Sequence, residues 1–245
     1  YSGATDFRKN IDGLIKAYAK LPVQVRKHHQ LVLVGKISDG TIREFKAIAK
    51  NAGLADSELV LTGYVSDEDL IKLYNLCKLF VFPSFSEGFG FPPLEAMSCG
   101  AAVISSNKTS LPEVIGRNDV LFVPSNVEEI ADKMQEILTN DTLRKEIREY
   151  GLNRAKEFSW DKSAQRTIAA LENFITQNQI SKTVNYIKQI KPKLAYISPL
   201  PPEQSGISDY SAELLPALSK YYDIEVIVNQ KEVSDEWIKK NLSIR

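Results

Sequence analysis

A doubly wound parallel α/β sheet is the fold class predicted for most of this 245-residue chain, and three observations predict it. Short runs that are almost wholly apolar recur between Leu31 and Ser125. Segments of helical periodicity separate them, as strand-helix units require. Runs without polar alternation belong to strands buried on both faces, which is where parallel sheets place them. The composition agrees: 43% hydrophobic, 9% aromatic, 31 Lys plus Arg against 31 Asp plus Glu, 12 Gly and 11 Pro. Such a chain can bury a core, so disorder and low complexity are excluded. A formal net charge of +0 supplies no field for polyanions and disfavours a general nucleic-acid binder.

The elements follow in order. Leu31-Val32-Leu33-Val34, Leu59-Val60-Leu61, Leu79-Phe80-Val81-Phe82, Ala102-Val103-Ile104 and Val120-Leu121-Phe122-Val123 read as strands. Ser66 followed three residues later by Asp69 forms a capping box, and Leu70, Leu73, Tyr74 and Cys77 continue it as a helix over 66 to 77. Asn126 caps the next helix, with Ile130, Ala131, Met134, Ile137 and Leu138 on its apolar side and Glu128 and Glu129 suiting the dipole of its first turn. Further helices are predicted over about 141 to 157 and 161 to 177. Residues 179–192, polar and Lys-dotted up to Lys191-Pro192, read as a linker. A strand at Leu194–Ser198, a Pro/Gly loop from Pro199 to Gly206, a helix from Asp209 to Lys220 and a strand at Ile224–Val228 then restart the pattern. A single β-loop-α-β unit cannot close a core, so this portion needs a third strand or a partner surface.

Several chemistries drop out. The apolar runs stop at four or five residues, against roughly 20 for a membrane-spanning helix. Cys77 and Cys99 lack a C-x-x-C partner or a neighbouring His, which leaves reduced, packed thiols in a cytoplasmic protein. His28 and His29 are the only histidines and lie in a polar stretch, so no Ser-His-Asp arrangement and no metal cluster is expected. Tyr196, Tyr210, Tyr221 and Tyr222 have no basic groove beside them and read as packing residues. A start at Tyr1-Ser2-Gly3, without Met or a basic leader, reads as a piece of something longer.

Chemistry concentrates in Phe82-Pro83-Ser84-Phe85-Ser86-Glu87-Gly88-Phe89-Gly90-Phe91-Pro92-Pro93-Leu94-Glu95-Ala96-Met97. A strand runs into a Gly loop, and Pro92-Pro93 marks a helix start, where a missing N–H costs nothing. Gly88 and Gly90 allow close approach of a ligand, and N–H groups at the helix start favour an anion. The prolines and glycines forbid one continuous helix from Glu87 to Glu95, so the two carboxylates should reach one cleft from a loop and from a helix. Carboxylates beside phosphate make sense where they accept hydrogen bonds from hydroxyls, which points to a sugar nucleotide. Solvated loop and helix-start carboxylates are the plain alternative, since acidic first turns occur for dipole reasons alone.

Glu87-Gly88-Phe89-Gly90-Phe91-Pro92-Pro93-Leu94-Glu95-Ala96-Met97 resembles the two-glutamate signature of retaining family 4 glycosyltransferases of the GT-B fold. Three further segments are similar to that family: Gly3-Ala4-Thr5-Asp6-Phe7-Arg8-Lys9-Asn10 to its first strand-to-helix turn, Leu61-Thr62-Gly63-Tyr64-Val65-Ser66 to its base-contacting turn, and Ser106–Val114 to the segment after the signature helix. The resemblance implies a Rossmann-like donor-binding domain over residues 1–178. It implies that Glu87 holds the donor sugar's hydroxyls and Glu95 the ribose hydroxyls. Backbone groups of Phe89, Gly90 and Phe91 would face the sugar and diphosphate, Val65 the base, and Gly3, Gly88 and Leu94 would complete the donor contacts. Lys9 would neutralise the diphosphate as charge develops on the leaving group. Many members carry Arg directly after the first Gly where this chain has Ala4, so Arg8 or Lys9 must supply the positive charge.

A second resemblance covers residues 193–245. Ser198-Pro199-Leu200-Pro201-Pro202-Glu203-Gln204-Ser205-Gly206-Ile207-Ser208-Asp209-Tyr210-Ser211 is similar to the opening of the acceptor-binding, N-terminal domain of the same family. A donor half followed by the start of an acceptor half is what a tandem of two transferases yields when cut on both sides. The implied activity is hexose transfer from a nucleotide diphosphate sugar, with GDP-mannose as the expected donor and UDP-glucose or UDP-N-acetylglucosamine behind it. The acceptor is a glycan or lipid-linked saccharide held by the absent half, without metal or other cofactor. The isolated piece should then turn over slowly or not at all, because aligning two substrates is a large share of catalysis. Peripheral membrane association at the inner face is compatible with this reading. Two competing functions remain: a non-catalytic nucleotide-sugar-binding scaffold, and an NAD(P)-dependent oxidoreductase suggested by Gly88-x-Gly90. The oxidoreductase ranks last, since Pro93 occupies the third glycine position and the turn falls late in the sheet.

Overall fold

Parallel strand pairing organises the chain throughout. The computed structural model describes residues 1–177 and 191–245 and divides into two compact units, Tyr1–Glu157 and Phe158–Arg245. In chain order the first unit holds α1 (Ile11–Lys20), α2 (Val23–Arg26), β1 (Leu31–Val34), α3 (Asp39–Asn51), β2 (Leu59–Gly63), α4 (Asp67–Leu76) and β3 (Phe80–Phe82). It continues with α5 (Phe91–Ser98), β4 (Val103–Ser106), α6 (Leu111–Ile115), β5 (Leu121–Phe122), α7 (Val127–Thr139) and α8 (Asp141–Ala155).

β1 pairs with β2, β3 with β4 and β4 with β5, every pair parallel. Tyr1 to Gly3 adds a parallel bridge from Ser2 to Val34, with the Gly3 N–H donating to the Val34 carbonyl at 3.0 Å. The first unit thus has a two-stranded sheet, β1-β2, and a three-stranded sheet, β3-β4-β5, and within each the parallel pairing puts the C-terminal strand ends at one edge, where ligands of open α/β sheets bind. All residues of β3, β4 and β5 are buried, as their apolar runs require. β2 is buried only at Leu59, because it pairs on one side alone and forms a sheet border. Leu33, Phe82, Ile104 and Phe122 meet Leu14, Ile15 and Tyr18 of α1 and Ile130 and Ile137 of α7 in one core. The helices pack as α1 with α3 and α7 and as α5 with α4, α6 and α8, and α7 and α8, consecutive in the chain, also meet. Both caps read from the sequence form: Ser66 Oγ accepts from the Asp69 N–H and Asn126 Oδ1 from the Glu129 N–H.

The second unit contains α9 (Trp160–Gln177), β6 (Lys193–Ile197), α10 (Gly206–Leu218), β7 (Asp223–Ile227), α11 (Glu236–Asn241) and β8 (Ser243–Ile244). Its sheet has the order β6-β7-β8, all parallel, with Leu194 opposite Ile224 and Val226 opposite Ile244. The missing third strand is therefore β8, which the sequence reading did not include. Leu214, Leu215 and Leu218 of α10, Ile224 and Val226 of β7 and Ile238 of α11 form its core. α9, which the sequence reading joined to the donor domain up to residue 178, packs here instead. Ala164 is fully buried in this second core, with Trp160 and Ile168 against it and Trp160 edge-on to Tyr210 at 5.0 Å. The expected linker of 179–192 lies, apart from Lys191 and Pro192, outside the described residues.

Candidate functional site

Three connections after parallel strands build the site, and short-range chemistry fixes each. The first follows the Ser2 bridge. Asp6 accepts from the Arg8 N–H and starts a 3-10 turn over Phe7–Lys9, after which Asn10 takes the left-handed conformation at φ 53° and opens α1. Asn10 is buried, and its Nδ2 donates to the carbonyls of Pro83 at 3.2 Å and Pro124 at 2.6 Å. One side chain thus ties the first connection to those after β3 and β5. The Phe85 N–H donates to the Arg8 carbonyl at 2.7 Å and adds a second tie. At Gly35, after β1, a Cβ would lie 2.2 Å from the Gly3 carbonyl oxygen, and φ is +146°, so only glycine lets these connections close up.

The second connection runs from β3 to α5. Gly90, at φ +109°, precedes the helix, and a Cβ there would meet Leu111 at 2.7 Å. Pro92 and Pro93 follow in the first turn and carry no N–H, and the Leu94 N–H donates to the Gly90 carbonyl at 3.4 Å, closing that turn. The third connection, after β4, braces the second. Thr109 Oγ1 accepts from the Glu87 N–H at 3.0 Å, and the Ser110 hydroxyl faces the carbonyls of Phe89 at 2.8 Å and Glu87 at 3.2 Å.

Lys9 Nζ lies 2.7 Å from Glu87 Oε1, with the side chains 16% and 12% exposed. A pair this shielded is screened less by salt than a surface pair and holds both side chains oriented. Arg8, the other cation of the turn, bonds Asp6 at 2.7 Å instead and is 59% exposed. That hydrogen bond comes first among the causes holding the Asp6 carboxyl below its ordinary range. Glu95, on an exposed position of α5, accepts at Oε2 from the Tyr74 hydroxyl at 2.9 Å, and Tyr74 contacts Ser2 Oγ at 2.6 Å. The two carboxylates therefore end on one segment, Glu87 on Lys9 and Glu95 on Ser2 through Tyr74. Gly3 lies between them, and half-buried Val65 follows β2 at the same edge.

Of the residues named from the sequence, the structure joins Lys9 to Glu87, places Gly88, Phe89 and Gly90 in the loop before α5 and Phe91 and Leu94 in its first turn, and turns Arg8 to Asp6. Asn10, Thr109 and Ser110, which hold the loops, and Ser2 and Tyr74, which reach Glu95, were not assigned roles. Nothing local announces them: their partners lie 21 to 114 residues away. A cavity of about 300 Å³ lined by β1, β3 and Tyr74 is largely apolar and is not lined by Lys9, Glu87 or Glu95, so the charged groups belong to the open sheet edge. His29 Nδ1 pairs with the Val25 carbonyl at 2.8 Å, away from the site. Among the described residues, no cluster of three or more His, Cys, Asp or Glu has a metal-holding arrangement.

Residues 1–154 match the family described as Glycosyl transferases group 1. The chain belongs to that family. Its parallel α/β architecture is that of GT-B glycosyltransferases. The serotype-specific mannosyltransferase WbdA of Escherichia coli is 44% identical over 172 residues, which are 70% of this chain and 21% of that protein. The O-antigen chain mannosyltransferase B of Escherichia coli is 41% identical over 170 residues, 69% of this chain and 44% of that one. The chain thus spans about a fifth of the first relative and less than half of the second. Anabaena Alr3699/HepE, solved in complex with UDP and glucose, has a TM-score of 0.61 at 23% identity, covering 70% of this chain and 47% of that one.

Proposed function

We propose that the first unit, Tyr1–Glu157, is the donor-binding half of a retaining mannosyltransferase that moves mannose from GDP-mannose to a glycan or lipid-linked saccharide hydroxyl. The observation that carries this reading is the pair of carboxylates on one segment, Glu87 on Lys9 and Glu95 on Ser2 through Tyr74, at the C-terminal edge of a parallel sheet. Glu87 binds the sugar hydroxyls and Glu95 the ribose. Lys9, already oriented, turns toward the diphosphate as charge develops there, an electrostatic role that needs no proton transfer. Arg8 sets the turn through Asp6. Gly3, Gly88, Leu94 and the backbone of Phe89, Gly90 and Phe91 surround sugar and diphosphate, and Val65 meets the base. The mannosyltransferase relatives favour mannose, and UDP-glucose is the second donor to test.

Residues 193–245 are, in the same proposal, the opening of a second transferase's acceptor-binding half. The parallel order β6-β7-β8, with α10 and α11 in the crossovers, supports this. Orientation of acceptor against donor then comes from parts beyond this chain. The cytoplasm is the proposed compartment, where Cys77 and Cys99, both free thiols, stay reduced. No helix among the described residues is long and apolar enough to cross a membrane. The test is a transfer assay with the full-length protein, offering GDP-mannose and UDP-glucose and reading the anomeric configuration of the product by NMR. α-Mannoside formation, abolished by Glu87→Ala, is expected. A β-product overturns the retaining reading, and transfer only from UDP-glucose overturns the donor.

A further inference from the structure

Glu95 projects from an exposed position of α5, where a glutamate ordinarily samples several rotamers, yet its carboxylate is held from below. Tyr74 of α4 is 4% exposed, its ring edge-on to Phe80 at 5.4 Å, and its hydroxyl lies 2.9 Å from Glu95 Oε2. A phenol has one proton. Since Tyr74 gives that proton to the carboxylate, the 2.6 Å contact between Tyr74 Oη and Ser2 Oγ is donated by Ser2. Ser2 is 5% exposed and pinned by backbone hydrogen bonds on both sides, Val34 N–H to the Tyr1 carbonyl and Gly3 N–H to the Val34 carbonyl, each 3.0 Å. The chain of donors thus starts on a residue fixed in the sheet and ends on the carboxylate. Glu95 Oε1 accepts no hydrogen bond among the described residues, so one oxygen is anchored and the other is presented. Burial, and after it the Glu95 charge, push the Tyr74 phenol well above its ordinary range, which keeps it a donor wherever nucleotide binding is measured.

We propose that Tyr74 is a positioning residue for the donor site: through Ser2–Tyr74–Glu95 it fixes the Glu95 carboxylate in the orientation that accepts the vicinal hydroxyls of a nucleoside diphosphate's ribose. This rests on the assignment of Glu95 to the ribose. Tyr74 touches no ligand itself. Its removal should therefore cost affinity only for ligands that carry those hydroxyls.

Calorimetric titration of the chain with GDP and UDP and with their 2′,3′-dideoxy counterparts separates the possibilities. For the wild-type chain, the nucleotide that binds should be about tenfold or more tighter than its dideoxy form, because charge-assisted hydrogen bonds are lost. Tyr74→Phe keeps the ring and should bring that ratio to within about threefold while leaving the dideoxy dissociation constant unchanged. In a Glu95→Ala background, Tyr74→Phe should change neither constant. Wild-type discrimination that survives Tyr74→Phe overturns the proposal and leaves the Glu95 assignment standing. No wild-type discrimination, or no nucleotide binding, overturns the Glu95 assignment and the proposal with it. Should Tyr74→Phe not fold, Ser2→Ala removes the proton given to Tyr74 and carries the same comparison, with a smaller fall in the ratio expected and an unchanged ratio counting against the proposal.

Discussion

Replacing Lys9 by Met, Glu87 by Gln, and both together measures how strongly the candidate site is organised before any ligand arrives. The pair is 2.7 Å apart with side chains 16% and 12% exposed, between the surface and buried limits. Surface pairs couple by about 0.2–1 kcal/mol, whereas removing one partner of a buried pair costs about 3–5 kcal/mol. A coupling of about 2 kcal/mol follows from that intermediate burial. For a unit of this size each kcal/mol moves the midpoint by about 2–4 °C, so either single variant should melt about 4–8 °C lower. The double variant should recover most of that loss, because no unpaired charge remains. Scanning calorimetry or circular dichroism is the assay. Trp160 and Trp237, the only tryptophans, both lie in the second unit, so tryptophan fluorescence follows the wrong part of the chain. Additive losses, with coupling below about 0.5 kcal/mol, would refute the reasoning.

Ser84 is fully buried and its hydroxyl has no hydrogen-bond partner among the described residues, so Ser84→Ala should leave stability unchanged or raise it by up to about 1 kcal/mol in urea unfolding. Gly35→Ala puts a Cβ 2.2 Å from the Gly3 carbonyl at φ +146° and should cost about 2 kcal/mol or more, with nucleotide binding weakened as the Gly3 turn shifts. Ser110→Ala removes the hydroxyl that holds the Phe89 and Glu87 carbonyls and should weaken nucleoside diphosphate binding about threefold or more in titration calorimetry, while helix content stays constant. The Asp119 carboxyl is held below its ordinary range, first by its hydrogen bond to Arg117. A depressed carboxylate stabilises the fold above its unfolded value and stops doing so as pH falls through the folded one. Asp119→Asn should therefore be less stable than wild type at pH 6 and equal to it once the carboxyl is protonated. With Asp119 57% exposed, added salt should shrink the gap at pH 6.

Local patterns carried the fold where one residue or one short run decides an element. Ser66 and Asn126 cap the helices that their spacing announces, and the apolar runs at 80–82, 103–106 and 121–122 are buried strands. Local signals failed where tertiary contact decides. β8 is two residues, too short to show a period, and exists because Val226 offers an edge to Ile244. α9 shows the same helical pattern whichever core it joins, and Ala164 and Ile168 join the second. Glu87 was legible as chemistry because Gly and Pro punctuate the loop after β3, whereas Lys9 was legible only through the family resemblance of the turn before α1. Arg8 could not be told from Lys9, since the preference is set by Asp6 and a two-residue turn. Tyr74 read as an apolar helix position, which it is, and only the fold shows that its hydroxyl ends on Glu95.

Sugar-nucleotide binding at the edge that carries Lys9, Glu87 and Glu95 is the property on which the proposed function rests. The direct measurement is scanning calorimetry of the chain with GDP-mannose, UDP-glucose and UDP-N-acetylglucosamine, where ligand at about 100 times its dissociation constant adds about 2.7 kcal/mol. GDP-mannose is predicted to raise the first unit's transition, and Glu95→Ala to abolish the rise. A first unit that melts at the same temperature with all three, or a rise that survives Glu95→Ala, would contradict the claim.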